Sequence, residues 1–352
     1  MRILTVKTSS LGDVIHNLPV VSDIRRHFPD AVIDWCVEEN FAAIPRLHPG
    51  VAAVLPVALR RWKKQLFARQ TWREVAAFRA LMRAHTYDFV LDTQGLLKSA
   101  LIAMQAIGPR CGYDAASIRE PLAARFYQRH VAVSKTEHAV VRNRRLAAAV
   151  FGYTVDEAPD YGITASPAAF PWLPPAPYAV LLTATSRDDK LWPEAHWREL
   201  GQRLHEQGCH AVLPGGSAPE RQRAAHLAAA IPAAVAAPPL DIPALAGVLA
   251  GAQAVIGVDT GLTHLAAALK IPTIALYTAT APGLTGVFGS GFHRNLGGKG
   301  QVPPVAAVLE ALGAIGKRRA GLDPPIQPQI DFGSAGQDPP YAAHSSQPAP
   351  LP

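Results

Sequence analysis

Short apolar runs alternate with amphipathic stretches along most of this chain. An apolar run too short for a surface helix indicates a buried strand, and apolar residues spaced three or four apart indicate a helix. In the first half, strands are predicted at residues 2–7, 31–37, 51–57 and 88–92, and helices at 71–85 and 95–107. Alternating strands and helices are typical of a mostly parallel sheet, so the pattern predicts an α/β fold.

The first predicted strand ends in a turn that contains Ser, Gly and Asp. Residues 8–13 read Thr-Ser-Ser-Leu-Gly-Asp, and a single helix is predicted to follow them. The apolar face of that helix comprises Val14, Ile15, Leu18, Val21 and Ile24. Such a turn lies at the carboxyl edge of a parallel sheet, where α/β proteins bind ligands.

A second α/β series follows a proline-rich stretch. Residues 158–178 contain six prolines and little periodicity, which is typical of a linker. Strands are then predicted at 178–183 and 211–213, and helices at 193–207, 219–230 and 303–317. We therefore expect an N-terminal domain at 1–160, a linker at 161–177 and a C-terminal domain at 178–319. Residues 320–352, rich in Pro, Gln, Ser and Gly, are predicted to be disordered.

Residues 254–277 carry the clearest pattern, which predicts a strand, a sharp turn, a helix and a second strand. The turn reads Asp259-Thr-Gly-Leu-Thr-His264. Unpaired N–H groups and a partial positive charge at the start of the helix would point into the ligand crevice, where a phosphate could bind. Gly261 would allow the backbone to approach it closely, and Asp259 could accept hydrogen bonds from hydroxyls. The alternative is that Asp259 only caps an ordinary helix.

Composition and charge narrow the class of protein. With 49% hydrophobic and 17% charged residues, the chain is globular. No secretory signal or membrane span is expected, since the longest apolar run contains Gln253 and ends at Asp259. Three widely separated cysteines favour a reducing cytoplasm. Residues 1–150 hold 22 Lys/Arg against 12 Asp/Glu and residues 151–352 hold 12 against 15, giving net charges of +10 and −3. This split predicts an anionic partner for the first half.

Several residues at predicted loop-helix junctions could carry chemistry in a cleft between the two domains. Asp13 could act as a general base, or it could simply cap its helix. Lys190 could neutralise a leaving phosphate with help from the hydroxyls of Thr185 and Ser186, or it could be a solvated loop residue. His264 fits a hydrogen-bonded structural role better than that of a base. The chain contains neither metal-ligand spacing nor a Walker loop, so we predict no metal and no cofactor.

Basic residues in the first half are candidates for binding the anion. The densest cluster is Arg60-Arg61-Trp62-Lys63-Lys64, in which Arg60 and Lys64 share a face if the segment is helical. Further cations of the same half are Lys98, Arg119, Arg142, Arg144 and Arg145. A solvated face is the alternative. Nucleic acid is disfavoured as a partner because stacking aromatics and a recognisable reading motif are absent from the sequence.

Five motifs in order resemble the lipopolysaccharide heptosyltransferases, and within that family the heptosyltransferase I group most. They are residues 1–13, ending in Leu-Gly-Asp, 58–62, 93–98, 185–193 and 258–268, and the resemblance extends over about residues 1–315. It implies two Rossmann-like domains of the GT-B type facing a cleft. It also implies inverting transfer of heptose from ADP-heptose to the first Kdo residue of Kdo2-lipid A, with the enzyme resting on the cytoplasmic face of the inner membrane.

The resemblance also implies roles for individual residues. Asp13 becomes the catalytic base, and Glu220 corresponds to a position at the nucleoside ribose. The remaining donor contacts would be Thr185, Ser186, Lys190, Asp259, Thr260, Gly261 and His264. The acceptor contacts would be Arg60, Arg61, Lys64, Lys98, Arg119 and Arg142. Family members commonly have Thr where this chain has Ser186, and the hydroxyl is kept.

Three other interpretations of the sequence stay open. A heptosyltransferase with a later core sugar as acceptor would share the same motifs. A nucleotide-sugar epimerase of similar two-domain architecture would need no anion-binding first half. A nucleotide sensor or nucleic-acid-binding protein fits the sequence least well.

Overall fold

The first half of the chain folds around a six-stranded parallel sheet. The computed structural model describes residues 1–155 and 157–319, so the predicted disordered tail at 320–352 lies outside the described residues. The strands are β1 (Arg2–Val6), β2 (Val32–Glu38), β3 (Val51–Val57), β4 (Phe89–Asp92), β5 (Arg110–Tyr113) and β6 (Arg129–Val131). Their order is β3-β2-β1-β4-β5-β6. This is the doubly wound arrangement that the alternating pattern predicts.

Within the described residues 1–155, six α-helices lie between these strands in the chain, and a seventh follows β6. They are α1 (Leu11–Ile15), α2 (Leu18–His27), α3 (Ala43–Arg46), α4 (Leu59–Lys64), α5 (Arg69–Met82), α6 (Leu97–Ala103) and α7 (Ala139–Phe151). Short 3₁₀ turns occur at Glu39–Phe41 and Pro121–Phe126.

The second half repeats the architecture. Its strands are β7 (Tyr178–Leu182), β8 (His210–Leu213), β9 (Val235–Ala236), β10 (Ala254–Val258), β11 (Thr273–Tyr277) and β12 (His293–Gly297), in the order β12-β11-β10-β7-β8-β9. Its helices are α8 (Glu194–Glu206), α9 (Ala218–Ala230), α10 (Ile242–Ala250), α11 (Gly261–Ala268), α12 (Pro282–Thr285) and α13 (Val305–Arg319), with a 3₁₀ turn at Asp188–Lys190. All strand pairs within both sheets are parallel.

The predicted strand-turn-helix-strand unit at 254–277 is confirmed. Strands β10 and β11 pair in parallel, with Val255 opposite Thr273, and α11 connects them. Between the two sheets, residues 157–177 form neither helix nor strand. The backbone N–H of Ala168 donates to Gly247 O at 3.0 Å, so this segment packs on the second half.

The single helix predicted after Asp13 is wrong, because α1 and α2 are separate helices. Pro19 lacks the N–H that a continuous helix would donate to Ile15. Helix α1 therefore ends at Ile15, with His16 as its C-cap. Helix α2 begins at Leu18, with Asn17 as its N-cap. The predicted apolar face is still buried, with Val14, Ile15, Leu18, Val21 and Ile24 all 0% exposed.

One contiguous apolar core joins the two halves. It contains Val14 and Leu18 from the first half and Leu182 and Leu265 from the second. Separate clusters cover the outer faces of the first sheet, around Leu4 and Val57, and of the second sheet, around Leu181 and Trp197. Because the shared core lies between the sheets, it fixes how their carboxyl edges face each other.

Candidate active site

The carboxyl edges of the two sheets meet where α1 approaches α11. A Cβ on Gly261 would lie 2.6 Å from Cγ of Leu11, and a Cβ on Gly12 would lie 3.2 Å from Cδ2 of His264. Neither position can carry a side chain without displacing its neighbour. The loop after β1 and the loop after β10 are therefore in van der Waals contact, and the predicted base and the predicted donor motif share one cleft.

Asp13 lies in the first turn of α1 and is partly exposed. Its Oδ2 accepts hydrogen bonds from the backbone N–H of Ser10 at 2.7 Å and from the Ser10 hydroxyl at 2.9 Å. This capping geometry holds the carboxylate at the edge of the cleft. Capping and catalysis are thus compatible here, because the cap fixes the orientation that a general base requires.

A buried lysine lies close to the Asp13 carboxylate. Lys7 is 6% exposed, and its Nζ donates to Thr93 O at 2.9 Å. Burial lowers the pKa of Lys7, while the negative fields of Asp13 and Asp92 oppose that shift. The loop itself is fixed by Gln94, whose Oε1 accepts hydrogen bonds from the N–H groups of Thr8 and Ser9. These hydrogen bonds hold in place the loop that precedes Asp13.

On the opposite edge, Asp259 is the centre of a polar cluster. Its Oδ2 lies 2.7 Å from Lys190 Nζ and accepts a 2.7 Å hydrogen bond from the Thr280 hydroxyl. The Thr185 hydroxyl donates to the Asp259 carbonyl at 2.9 Å. The side chains of Lys190 and Asp259 are 18% and 13% exposed. The structure therefore brings three predicted donor contacts together and adds Thr280, which sequence reasoning missed.

Three other predicted donor contacts lie at loop-helix junctions of the second half. Thr260 is the N-cap of α11 and makes no side-chain capping bond, and Ser186 is exposed beside Thr185. Glu220 lies at the start of α9, where its Oε2 accepts hydrogen bonds from the N–H groups of Gly216 and Ser217. Glu220 is thus placed by a capping box at the carboxyl end of β8, apart from the Asp259 cluster.

His264 connects the donor edge to the first half of the chain. Its Nδ1 lies 3.2 Å from Nε2 of His16, and both rings are buried. Burial lowers the pKa of His264 to about 4, although the fields of Asp259 and Asp13 oppose that shift. Burial also lowers the pKa of His16 well below its usual value. Both imidazoles are therefore neutral at neutral pH, which favours the predicted hydrogen-bonding role over that of a charged acid.

Several predicted acceptor cations surround the Asp13 edge. Lys98 Nζ donates to the Ser9 hydroxyl at 2.9 Å. Its pKa is lowered by partial burial and then by the nearby positive charges of Arg60 and Lys63, with Glu38 opposing. Arg142 donates to Ser117 O at 2.7 Å and lies over the ring of Tyr113. Arg60, Lys64 and Arg119 are exposed.

Three of the cations named from the sequence, Arg61, Arg144 and Arg145, have carboxylate partners, and that of Arg145 is Glu137. Arg61 pairs with Glu39 at 3.0 Å and with Glu74 at 2.6 Å, and these bonds raise its pKa. Arg144 forms a buried bidentate pair with Asp23, the two side chains being 4% and 3% exposed. The expectation that Arg144 adds to the available cations is therefore wrong, because its charge is neutralised inside the protein.

Sequence reasoning missed Lys7, His16, Gln94 and Thr280 as parts of this site. Lys7 carries a usable signal, since a charged residue directly after a buried strand points into the ligand crevice. His16 has no comparable signal, because its contact partner is 248 residues away in the sequence.

The arrangement can serve transfer chemistry between two bound molecules. A carboxylate on one edge could take a proton, while a lysine and a helix start on the other edge could stabilise a developing negative charge. Within residues 1–155 and 157–319, three or more His, Cys, Asp or Glu side chains do not cluster in a way that could hold a metal ion. In the same part of the chain, the helices are too short or too polar to cross a membrane.

Several known proteins and one family model are similar to this chain. The family model of glycosyltransferase family 9 (heptosyltransferase) matches residues 75–301. Lipopolysaccharide heptosyltransferase 1 of Pseudomonas aeruginosa is 49% identical over 292 residues, which cover 82% of each chain.

Solved structures give the same result. The structure of E. coli heptosyltransferase WaaC with ADP superposes with a TM-score of 0.82 at 41% identity, covering 90% of this chain and 100% of that one. The structure of the same enzyme with ADP-2-deoxy-2-fluoro heptose has a TM-score of 0.79 at 40% identity, covering 89% and 99%.

Proposed function

Because this chain belongs to glycosyltransferase family 9, the heptosyltransferases, we propose that it transfers L-glycero-D-manno-heptose from ADP-heptose to the first Kdo residue of Kdo2-lipid A. The observation that carries the proposal is the contact of the Asp13 loop with the Asp259–His264 turn across one cleft. In the proposed reaction Asp13 acts as the base and the turn binds the leaving diphosphate, and their proximity supports this assignment. Lipopolysaccharide inner-core synthesis is the process in which this reaction takes part.

The proposed reaction is a direct displacement with inversion. Asp13 accepts the proton of the acceptor hydroxyl, and the oxygen attacks the anomeric carbon of the heptose. The bond from that carbon to the diphosphate breaks, and ADP leaves with the electron pair. Lys190 and the N–H groups at the start of α11 stabilise the negative charge that develops on the diphosphate.

We assign donor binding to the second half of the chain, within the proposed domain 178–319. In this proposal the diphosphate is contacted by Thr185, Ser186, Lys190 and Thr260, and the sugar by Asp259 and His264. Gly261 lets the backbone approach closely, and Glu220 is assigned to the ribose. The separation of Glu220 from the Asp259 cluster supports this, because an ADP-sugar is an extended molecule.

We assign acceptor binding to the first half, residues 1–160, with 161–177 as the connecting segment. Arg60, Lys64, Lys98, Arg119 and Arg142 would face the carboxylates and phosphates of the acceptor. Because Glu39 and Glu74 neutralise the charge of Arg61, we assign it an indirect role. Its ion pair with Glu74 joins α4 to α5 and so stabilises the acceptor side. The same basic half would rest on the cytoplasmic face of the inner membrane without spanning it.

The proposal is tested by measuring ADP release from ADP-heptose with and without a Kdo-containing acceptor. Release that depends on the acceptor, together with a heptosylated product seen by mass spectrometry, is expected. Acceptor-independent turnover of the nucleotide sugar would point to the epimerase reading. Activity only with an acceptor that already carries heptose would identify a later step of core assembly.

A further inference from the structure

Three large apolar side chains are exposed on one short segment next to the acceptor cations. Phe67 is fully exposed, and Leu66 and Trp72 are 51% and 60% exposed. The chain leaves α4 at Lys64 and enters α5 at Arg69, so all three lie around a single turn. Exposed single hydrophobic residues are ordinary, but three adjacent ones on one protruding turn mark a contact surface.

This turn is held in place by its own hydrogen bonds. The Thr71 hydroxyl donates to Gln65 O at 2.8 Å, and the Trp72 indole N–H donates to Leu66 O at 2.9 Å. The bond to Leu66 O satisfies the polar atom of Trp72, so the exposed part of its ring is apolar.

Below the turn, α4 and α5 are tied together. Glu74 Oε2 accepts hydrogen bonds from both Arg61 and the Trp62 indole. These hydrogen bonds between α4 and α5 therefore stabilise the turn on which the three apolar side chains are exposed.

Four cations surround the apolar side chains. Lys63, Lys64, Arg69 and Arg73 are exposed, and none of the ion pairs formed among the described residues involves them. Arg69, Trp72 and Arg73 lie on one face of α5, since they are three and four residues apart. We call these four cations, together with Leu66, Phe67 and Trp72, the apolar-basic surface.

We propose that the apolar-basic surface docks on an anionic phospholipid bilayer, with Leu66, Phe67 and Trp72 entering the interface and the four cations contacting lipid phosphates. The aromatic and aliphatic side chains suit the apolar boundary of a bilayer, and the surrounding Lys and Arg side chains suit its charged headgroups. The proposal deepens the proposed function, because α4 also carries Arg60 and Lys64. Docking would place the acceptor cations at the depth where the sugars of a membrane-embedded glycolipid emerge.

The test uses the full chain and vesicles, without donor or acceptor. Binding to vesicles containing phosphatidylglycerol is measured by flotation for the wild type and for the double variant Leu66→Ser, Phe67→Ser. Removing two inserting side chains should weaken binding about tenfold or more. Leu122→Ser is the matched control, since Leu122 is 57% exposed in the same half but outside the surface. It should bind as the wild type does.

A second pair of variants isolates the charges. Arg69→Ala with Arg73→Ala should weaken binding about fivefold or more for each charge removed at low salt, and binding to phosphatidylcholine vesicles should be weak for all proteins. Turnover of a soluble, delipidated acceptor should be unchanged in the Leu66→Ser, Phe67→Ser variant.

Three results would overturn the proposal. The first is that the wild type and the Leu66→Ser, Phe67→Ser variant bind vesicles equally well, and the second is that the wild type binds phosphatidylglycerol and phosphatidylcholine vesicles equally well. The third is a change of oligomeric state in the double variant, because the surface would then be a contact between copies of the chain. Because vesicle binding needs no substrate, failure here is separate from failure of the proposed transferase activity.

A second inference concerns the two imidazoles that join the halves. His16 Nε2 and His264 Nδ1 are 3.2 Å apart, and one of them must donate. His16 is 3% exposed, and its Nδ1 is buried without a partner among the described residues. A buried N–H without an acceptor is rarer and costlier than a buried bare nitrogen. The proton of His16 therefore belongs on Nε2.

We infer that His16 is a positioning residue that fixes His264 as a hydrogen-bond donor from Nε2. If His16 donates to Nδ1 of His264, the proton of His264 must lie on its other nitrogen. That nitrogen faces the loop of Gly12 and Asp13, because a Cβ on Gly12 would lie 3.7 Å from it. His264 then offers an N–H to an oxygen of the donor molecule. Only the identity of that molecule rests on the proposed function.

The tautomer can be read directly by ¹⁵N-resolved NMR of the imidazoles in the free protein. The expected result is a proton on Nε2 of His264. Its replacement by a proton on Nδ1 would overturn the inference without reference to activity.

Two variants test the positioning role. His16→Gln keeps an N–H close to the position of Nε2, whereas His16→Leu removes it. The Leu variant should lose the Nε2 preference and weaken ADP-heptose binding about tenfold or more, and the Gln variant should stay close to the wild type. Equal effects of Leu and Gln at equal melting temperature would show that the contact is only packing.

Discussion

At the scale of single residues, one substitution can separate the observed cap formed by Asp13 from its proposed role as the base. Asn can still accept the hydrogen bonds from the N–H and hydroxyl of Ser10, but it cannot take a proton. Asp13→Asn should therefore lower kcat by ~10²-fold or more and leave the melting temperature and donor affinity nearly unchanged. Steady-state kinetics, a thermal melt and a donor titration check this.

Ser10→Ala is the matched control for that experiment. It removes one hydrogen bond of the cap and keeps the carboxylate, so it should affect stability more than kcat. A melting temperature that falls in step with kcat in Asp13→Asn would mean that Asp13 is chiefly a cap.

Lys190 offers a second residue-scale prediction. Its ammonium group is paired with Asp259, and we propose that it also contacts the diphosphate of the donor. Lys190→Met should weaken ADP binding by about tenfold or more, since hydrogen bonds between charged groups are the strong ones. Isothermal titration calorimetry with ADP measures this.

The control for Lys190 lies on the same loop. Arg187 is 59% exposed and pairs with Asp189, so Arg187→Met removes a cation of similar size away from the cluster around Asp259. Its ADP affinity should change little. Unchanged ADP affinity in Lys190→Met, together with a raised acceptor KM, would move Lys190 to the acceptor side.

At the scale of elements, the buried pair of Arg144 and Asp23 joins α7 to α2. Removing one partner leaves an uncompensated buried charge, so Arg144→Met should destabilise the protein by roughly 3–5 kcal/mol. Chemical denaturation gives the free energy of unfolding. Arg142→Met, two residues away and partly exposed, should cost much less.

The double variant Arg144→Met, Asp23→Leu sharpens this prediction. Because it leaves no unpaired charge, it should recover much of the lost stability. A double variant as unstable as Arg144→Met alone would show that packing volume, rather than charge, makes this contact important.

The approach of α1 to α11 gives a further element-scale prediction. A methyl group at Gly261 would lie 2.6–2.8 Å from three side-chain carbons of Leu11, so Gly261→Ala must push the loops apart. A displacement of this kind should lower kcat/KM by about tenfold to a hundredfold. Leu11→Ala added to Gly261→Ala makes room and should restore part of the activity. No recovery in the double variant would mean that the methyl group blocks a ligand instead.

Most elements with a long or clearly periodic pattern could be predicted, but the helices α7 and α10 were missed. The patterns at 51–57, 193–207 and 254–277 correspond to β3, α8 and the β10-α11-β11 unit. The predictions omitted β5, β6, β9 and β12, because strands of two to five residues carry too short a pattern to recognise. They also merged α1 with α2, since the effect of Pro19 on the hydrogen bond to Ile15 is local and the apolar face continues across the break.

At the scale of the whole molecule, the composition of the site could be predicted better than its geometry. Asp13 and the Asp259–His264 turn each lie after a strand end, which the sequence reveals. Their contact depends on how the two sheets pack against each other. The hydrogen bond between His16 and His264 likewise results from that packing. The sequence also gives the sign of each side-chain charge, but it does not show whether that charge is already paired inside the protein. Arg61 and Arg144 are neutralised by partners distant in the sequence, whereas Arg60 and Lys64 stay exposed.

This difference shapes the prediction for the acceptor side. Arg60→Ala with Lys64→Ala should raise the KM for a delipidated, soluble Kdo-containing acceptor and leave ADP-heptose affinity unchanged, because the proposal assigns the two ligands to different halves. Arg61→Ala should instead lower the melting temperature, since Arg61 ties α4 to Glu39 and Glu74. Steady-state kinetics for each substrate and a thermal melt separate these outcomes.

Salt dependence adds an independent check on the same residues. Arg60 and Lys64 are exposed, so screening should weaken their proposed contacts with a bound anion as the Debye length falls from ~30 to ~10 Å. The acceptor KM of the wild type should therefore rise with salt more steeply than that of the Arg60→Ala, Lys64→Ala variant. If the acceptor KM is unmoved by the double change, neither Arg60 nor Lys64 contacts the soluble acceptor. The acceptor would then have to be held by Lys98, Arg119 and Arg142, which lie closer to Lys7 and Asp13.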